Sequence, residues 1–219
     1  TKVPINGLNY SPHPNLIKTN ANVYISMGDT AENVAKKFNL SRKKQQEFSI
    51  NSHQKANFAE VNNLFKDEIT KIKIDDKIIE KDEAIRPNTS QEILNNLKLV
   101  FDQQGTITAG TASPLTDGAS ATLVCNEEYA KKNNLDILAR IVSTAVQGCP
   151  PELMGLGPIE ATKKALKRAD LSIKDIDVIE LNEAFASQSL ACIESLNIDP
   201  AKVNIDGGAI ALGHPLGAT

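Results

Sequence analysis

Cysteine is scarce in this chain. Only Cys125, Cys149 and Cys192 occur in 219 residues, far apart and without a C-x-x-C spacing. That pattern supplies neither a disulfide framework nor a metal-binding knuckle, and it suits a reducing compartment. An excess of positive charge is missing too: 24 Lys and Arg face 27 Asp and Glu, for a net charge of −3. No global basic field exists to recruit nucleic acid or an anionic membrane. No apolar run approaches the ~20 residues that a membrane-spanning helix needs. The opening TKVPINGLNY has neither a signal-peptide apolar core nor an arginine-rich transit character. A cytoplasmic location is the expectation, with a mitochondrial one as the alternative if a transit segment was removed.

With 41% hydrophobic and 23% charged residues, the composition is that of an ordinary soluble globular protein. The length suits one large α/β domain or two small ones. Residues 1–28 read as irregular, with Pro12 and Pro14 in SPHP. Residues 32–38 and 41–57 read as helices, with Thr30 and Ser41 as N-caps. The second helix, RKKQQEFSINSHQKA, is so polar that it is expected to lie largely solvated. Residues 68–80, EITKIKIDDKIIE, alternate about an Asp-Asp turn and predict a hairpin. TSQEILNNLKLVF predicts a short helix capped by Thr89 or Ser90.

The texture changes near residue 105, where small residues increase and a strand–helix rhythm begins. SATLVCNEEYAKKNN reads as a buried strand entering a helix, with Cys125 at the strand end. ARIVSTAVQG reads as a β-branched strand. GPIEATKKALKRADL reads as an amphipathic helix opening at Pro158, and DVIELNEAFASQSLACIESL as a strand, a sharp transition and a helix that buries Cys192. Cys149 is the least buried-looking of the three thiols. A boundary near 105–110 then separates a helical and hairpin segment from a layered α/β domain.

Three stretches interrupt strand-to-helix junctions with polar or glycine-rich residues: TAGTASPLTDGAS (108–120), ELNEAFASQS (180–189) and GGAIALGHPLGA (207–218). Ligands of α/β proteins bind at the carboxyl ends of strands, where helix N-termini and free amides converge. Asn182 and Glu183 stand at such an end. Gly213 is followed by His-Pro rather than Lys-Ser/Thr, so the Walker phosphate pattern fails, and no G-x-G-x-x-G occurs. Taken alone, His214 is either functional or an incidental resident of a tight turn, and Asn182 is equally an N-cap.

Taken together, ISMGDTAENVAKKF, TITAGTASPLTDGA, MGLGPIEATKKAL, LNEAFASQ and NIDGGAIALGHPLGA resemble stretches of the thiolase family, in that family's order. The resemblance is to its 3-ketoacyl-CoA thiolase and acetyl-CoA C-acetyltransferase members and runs from about Met27 onward. It implies an α/β thiolase fold of layered αβαβα type, incomplete here, with an inserted helical and hairpin loop domain. Its divisions are 1–25 as the end of the N-terminal half and a linker, 26–104 as the loop domain, and 105–219 as a truncated C-terminal half.

The activity implied is exchange of an acyl group between coenzyme A thioesters. The family's Gly-His-Pro histidine, here His214, activates a nucleophilic cysteine and donates into an oxyanion site. Its Asn-Glu-Ala-Phe asparagine, here Asn182, holds a water that completes that site. Arg86, Ala109 and Ser113 match CoA-binding positions. Met27, Phe101, Met154, Ala184 and Phe185 match the acyl and pantetheine lining. His13 and His53 match no catalytic position and read as solvated surface.

Ser26 stands where acetoacetyl-CoA-specific members usually carry histidine, which tilts the expectation to a broader chain-length preference. The family's Cys-x-Ser-Gly and Cys-x-Gly-Gly stretches are not among the 219 residues. They are expected before residue 1 and after Thr219, so residues 1–219 alone are expected to be inactive. CoA enters as substrate, no permanently bound cofactor or metal is expected, and the intact protein is expected to be a homodimer or homotetramer. The rival readings are a catalytically inactive CoA- or lipid-binding relative, and a condensing enzyme of ketoacyl synthase or HMG-CoA synthase type. The Asn-Glu-Ala-Phe and Gly-His-Pro motifs together argue against the second.

Overall fold

The structure, a computed structural model, describes residues 12–219. Its helices are α1 (Pro14–Asn20), α2 (Met27–Lys37), α3 (Arg42–Val61), α4 (Gln91–Asn95), α5 (Glu127–Lys132), α6 (Gly157–Ala169), α7 (Ala186–Leu196) and α8 (Ala209–Leu212). Strands β1 (Ile72–Ile74) and β2 (Lys77–Ile79) form an antiparallel hairpin between α3 and α4, closed at Asp75–Asp76 as the alternation predicts. Asp75 takes the left-handed conformation that the tight turn requires (φ 52°).

Residues 1–11 of the segment read as irregular lie outside the described residues. The rest of that segment is largely helical: Pro14 occupies the first turn of α1, where its fixed φ is an asset, and His13 caps it by accepting from the Asn15 amide through Nδ1 at 3.3 Å. His13 is exposed, as expected. Helix α2 begins earlier than the sequence suggests. Ser26, not Thr30, is the cap, its Oγ accepting from the Asp29 amide at 3.1 Å, and Thr30 is buried inside the helix. Ser41 caps α3 and Ser90 caps α4.

The largest correction concerns α3. Its polar composition predicts a solvated helix, yet Gln45, Gln46, Ser49, Ser52, His53, Ala56 and Ala59 are all buried. They recur at helical spacing and form a stripe of small or hydrogen-bonded side chains. Such a stripe lets a helix approach its neighbours closely without an apolar surface. Along it α3 packs against α7 and α8. The Gln45 amide donates to the Leu40 carbonyl and to Thr106 Oγ, and Lys55 donates to the Val203 carbonyl at 2.7 Å.

Helix α7 lies between two apolar clusters. Cys192, Ile193 and Leu196 pack with Ile159 of α6, Ile198 and Val203; Ala191 packs with Val34, Ala35 and Leu40. Cys192 is buried there, as the sequence indicates, and desolvation pushes its thiol up to about 11.

Three expected strands fail in detail. Residues 119–126 and 139–148 have no strand assignment, and Leu123 and Val124 are 75% and 68% exposed, with Cys125 exposed beside them. A strand exists only where a neighbour completes its ladder, and β-branched content alone supplies no neighbour. Helix α6 serves residues 143–146 instead: Lys164 donates to the Val146 carbonyl, Arg168 donates to that of Thr144, and the Ala165 carbonyl accepts from Ser143 Oγ. The strand expected before Asn182 is reduced to one parallel bridge, Ile179 with Val203.

His53 is also corrected, being 5% exposed on α3 rather than solvated. Its Nδ1 accepts from the Arg86 amide at 3.2 Å. Burial, and secondarily the Arg86 charge, lowers its pKa from 6.5 to about 4. A protonated ring would set N–H against N–H. Because the folded pKa lies below the unfolded one, this stability is present above pH 6.5 and is lost as pH falls towards 4. Urea denaturation at pH 7 and pH 4.5 should show the wild type losing about 2 kcal/mol more than His53→Gln, which accepts the same bond without titrating. Equal losses in the two proteins would refute the assignment.

Candidate active site

Asn182 is delivered by a backbone held on both sides. On one side, the Ile179 amide donates to Lys202 O and the Asn204 amide donates to Ile179 O, both at 2.9 Å. The Asn204 side chain then brackets Leu181, accepting from its amide and donating to its carbonyl, each at 2.8 Å. On the other side, Ala112 bridges Phe185 antiparallel, with the Ser113 amide donating to Ala184 O and the Ala186 amide donating to Thr111 O.

His214 arrives from the glycine-rich stretch. Gly207 takes φ 91° with its α-carbon against α3, where a β-carbon would stand 2.5 Å from Ala56 Cβ and 2.7 Å from Ala56 N. A β-carbon on Gly208 would overlap the Glu183 carboxyl group. Gly213 ends α8 at φ 103°, against Thr116. The chain can enter and leave this hairpin-like corner only without side chains at these positions.

The two residues meet: Asn182 Nδ2 lies 3.4 Å from His214 Nε2. Either His214 accepts from the amide nitrogen or, with the amide turned over, it donates to the amide oxygen. Asn182 Oδ1 and His214 Nδ1 are enclosed and have no protein hydrogen-bond partner among the described residues. Two open polar atoms beside the side-chain contact form a place where a polar ligand atom would find partners.

Other expected site residues fall into smaller groups. Phe101 and Phe185 stack edge-to-face with centroids 6.1 Å apart, and the Phe101 ring lies on Gly28, next to Met27. Ser113 donates to the carbonyl of Ala184 through both its amide and its hydroxyl. Arg86 is exposed and tied by its amide to α3, Ala109 is exposed, and Met154 is exposed with its carbonyl near Cys149 Sγ. These three do not share the Asn182–His214 contact.

A buried carboxylate adjoins the pair, and the motif reading gives it no role. Glu183 is 2% exposed. Oε2 accepts from Ser52 Oγ at 2.6 Å and from the Ile210 amide at 3.1 Å, and Oε1 accepts from Asn204 Nδ2 at 2.8 Å. Ser52 Oγ in turn accepts from the Gly208 amide at 3.2 Å. Burial pushes the Glu183 carboxyl above its ordinary range, against three hydrogen bonds that favour the ionised form. A charged residue inside the apolar and small-residue run ELNEAFASQS is the signal that marks it. Glu32, half-buried on α2, also ties distant backbone, its carboxylate accepting from the Thr106 and Ile107 amides. Among the described residues no group of three or more His, Cys, Asp or Glu is placed to hold a metal ion. No described helix is long and apolar enough to cross a membrane.

A mixed α/β chain with an Asn–His pair at a glycine-rich corner defines the class, and comparison with known proteins makes it specific. Residues 13–128 match the model of the thiolase N-terminal domain, and residues 135–219 match that of the thiolase C-terminal domain. A 3-ketoacyl-CoA thiolase of Photobacterium profundum is 49% identical over 227 residues, covering 99% of this chain and 58% of that protein. The dimeric peroxisomal thiolase of Saccharomyces cerevisiae superposes with a TM-score of 0.89 at 44% identity, over 98% of this chain and 55% of that one. Human mitochondrial 3-ketoacyl-CoA thiolase in complex with CoA superposes at 0.84 and 44% identity, over 91% of this chain and 51% of that one. The chain belongs to the thiolase family and has the thiolase fold. It spans somewhat more than half the length of the curated relatives it matches.

The glycine geometry is directly testable. Gly207→Ala should destabilise the protein by about 2 kcal/mol or more, since it adds a clash to a left-handed φ. Gly148→Ala, with open space around it, should stay within about 0.5 kcal/mol. Denaturant midpoints measure both, and equal midpoints would sink the argument.

Proposed function

We propose that this chain supplies the histidine–asparagine part of an acyltransferase site of thiolase type, exchanging an acyl group between CoA thioesters. The reaction is 3-ketoacyl-CoA plus CoA to acyl-CoA plus acetyl-CoA, or the reverse condensation. The observation that carries the reading is the 3.4 Å contact between Asn182 and His214, with an open polar atom on each. His214 removes the proton from a nucleophilic cysteine thiol and then donates a hydrogen bond to the thioester oxygen as it gains negative charge. Asn182 orients a water at the same oxygen, and its neutral amide adds no second titrating group to the site.

The nucleophilic thiol comes from outside these 219 residues. Cys125 and Cys149 are exposed, and Cys192 is buried in α7 with its thiol held protonated. Arg86, Ala109 and Ser113 form the CoA-binding side, where small residues admit the thin pantetheine arm and Arg86 makes a charge-assisted contact near the nucleotide part. Met27, Phe101, Met154, Ala184 and Phe185 line the acyl path. The partners are CoA and acyl-CoA, the assembly is a homodimer or homotetramer, and the compartment is the cytoplasm, with the mitochondrion as the alternative. The dimeric yeast thiolase and the CoA complex of the human enzyme support the first two assignments.

The test is a thiolysis assay with 3-ketoacyl-CoA substrates on a polypeptide of the relatives' length carrying this chain. His214→Ala should lower kcat by a factor of about 100–1,000 with little change in folding. Residues 1–219 alone should give no turnover. CoA binding without thiolysis by the longer polypeptide would overturn the reading in favour of an inactive CoA-binding relative.

A further inference from the structure

We infer that Glu183 is the positioning residue of the Asn182–His214 pair, acting with Ser52 of α3 and Asn204 as one buried hydrogen-bonded clamp. The inference rests on the acyl-transfer reading and deepens it. Glu183 follows Asn182 directly, so whatever fixes its carboxylate fixes the backbone that carries the asparagine. The same carboxylate takes the Ile210 amide, and through Ser52 Oγ it engages the Gly208 amide, which together hold the first turn of α8. Gly213 and His214 follow that helix. Through Asn204 it reaches the residue that brackets Leu181. One side chain thus ties both carriers of the pair to the long helix α3.

The donors are arranged so that only an acceptor fits. Every group aimed at Glu183 is an O–H or N–H: the Ser52 hydroxyl, which has its own acceptor role filled by Gly208, the Ile210 amide and the Asn204 amide. A glutamine of the same shape would present its NH₂ to one of these sets and put N–H against N–H. The clamp would open on the α8 side or on the Asn204 side, and either displaces His214 relative to Asn182. Neither Glu183 nor Ser52 touches the reacting atoms in this scheme. Their effect runs through geometry, where an error of about 1 Å is worth up to a hundredfold in rate.

The experiment uses a polypeptide of the relatives' length with Glu183→Gln, Ser52→Ala and the double variant, and Glu128→Gln on the surface of α5 as control. Thiolysis kinetics and the His214 imidazole NMR signals, assigned with His214→Gln, are measured together. For Glu183→Gln, kcat should fall about tenfold to a hundredfold while KM for CoA stays within about twofold. The imidazole signals should move in both single variants and not in the control. Ser52→Ala should show a smaller kcat loss in the same direction, and the double variant should be no worse than Glu183→Gln alone, as members of one unit behave.

Unchanged imidazole signals in a folded variant, losses that multiply in the double variant, or a kcat loss that follows only the fraction unfolded would overturn the inference. If the wild type lacks thiolysis, the acyl-transfer reading fails by itself, and the imidazole signals of folded Ser52→Ala still decide whether the clamp positions His214.

Discussion

Glu183 places a carboxylate where almost no water reaches, and the folded site depends on its being satisfied there. An unpaired buried carboxylate is costly enough that a chain avoids it or protonates it. Three donors from three separate places, α3, the start of α8 and the Asn204 corner, converge to meet that demand. Satisfying one group therefore fixes the relative positions of segments distant in sequence. Apolar contact alone would hold them together with less orientation, because packing has no direction and a hydrogen bond does.

The same demand accounts for the composition of α3. A helix that offers Ser52 to the carboxylate, Gln45 to Thr106, and Ala56 to the bare α-carbon of Gly207 must carry small and polar residues on its buried face. Its close approach then requires glycine at 207, the Glu183 carboxyl group requires glycine at 208, and the stretch runs on from them to His214. The polar helix and the glycine-rich corner are two sides of one interface.

Much of this was legible from residue patterns: the hairpin about Asp75–Asp76, the helix opening at Pro158, the cap Ser41, a cap at Thr89 or Ser90 that the fold gives to Ser90, and the burial of Cys192. The motif pair also identified Asn182 and His214, which the fold brings together. What was not legible has a common cause. Polar composition points to solvent wherever burial is made by small and hydrogen-bonded groups, as on α3, and a histidine that matches no catalytic position, His53, is buried in that same face. Residues 120–125 and 139–148 read as strands on residue type, which says nothing about whether a neighbouring strand exists. Arg86 and Ala109 matched CoA-binding positions by motif, and the fold leaves both exposed and apart from the Asn182–His214 contact.

Glu183 shows why a motif reading finds the chemistry before it finds the support. Asn182 and Glu183 are adjacent, yet their side chains go to different partners, one to His214 and the other to Ser52, Asn204 and Ile210. Two adjacent residues thus offer one group to His214 and the other to the scaffold. The economy has a physical consequence. The rigid attachment lies one peptide unit from the asparagine and four residues from the histidine, so little chain is left to flex between the anchor and the pair it holds.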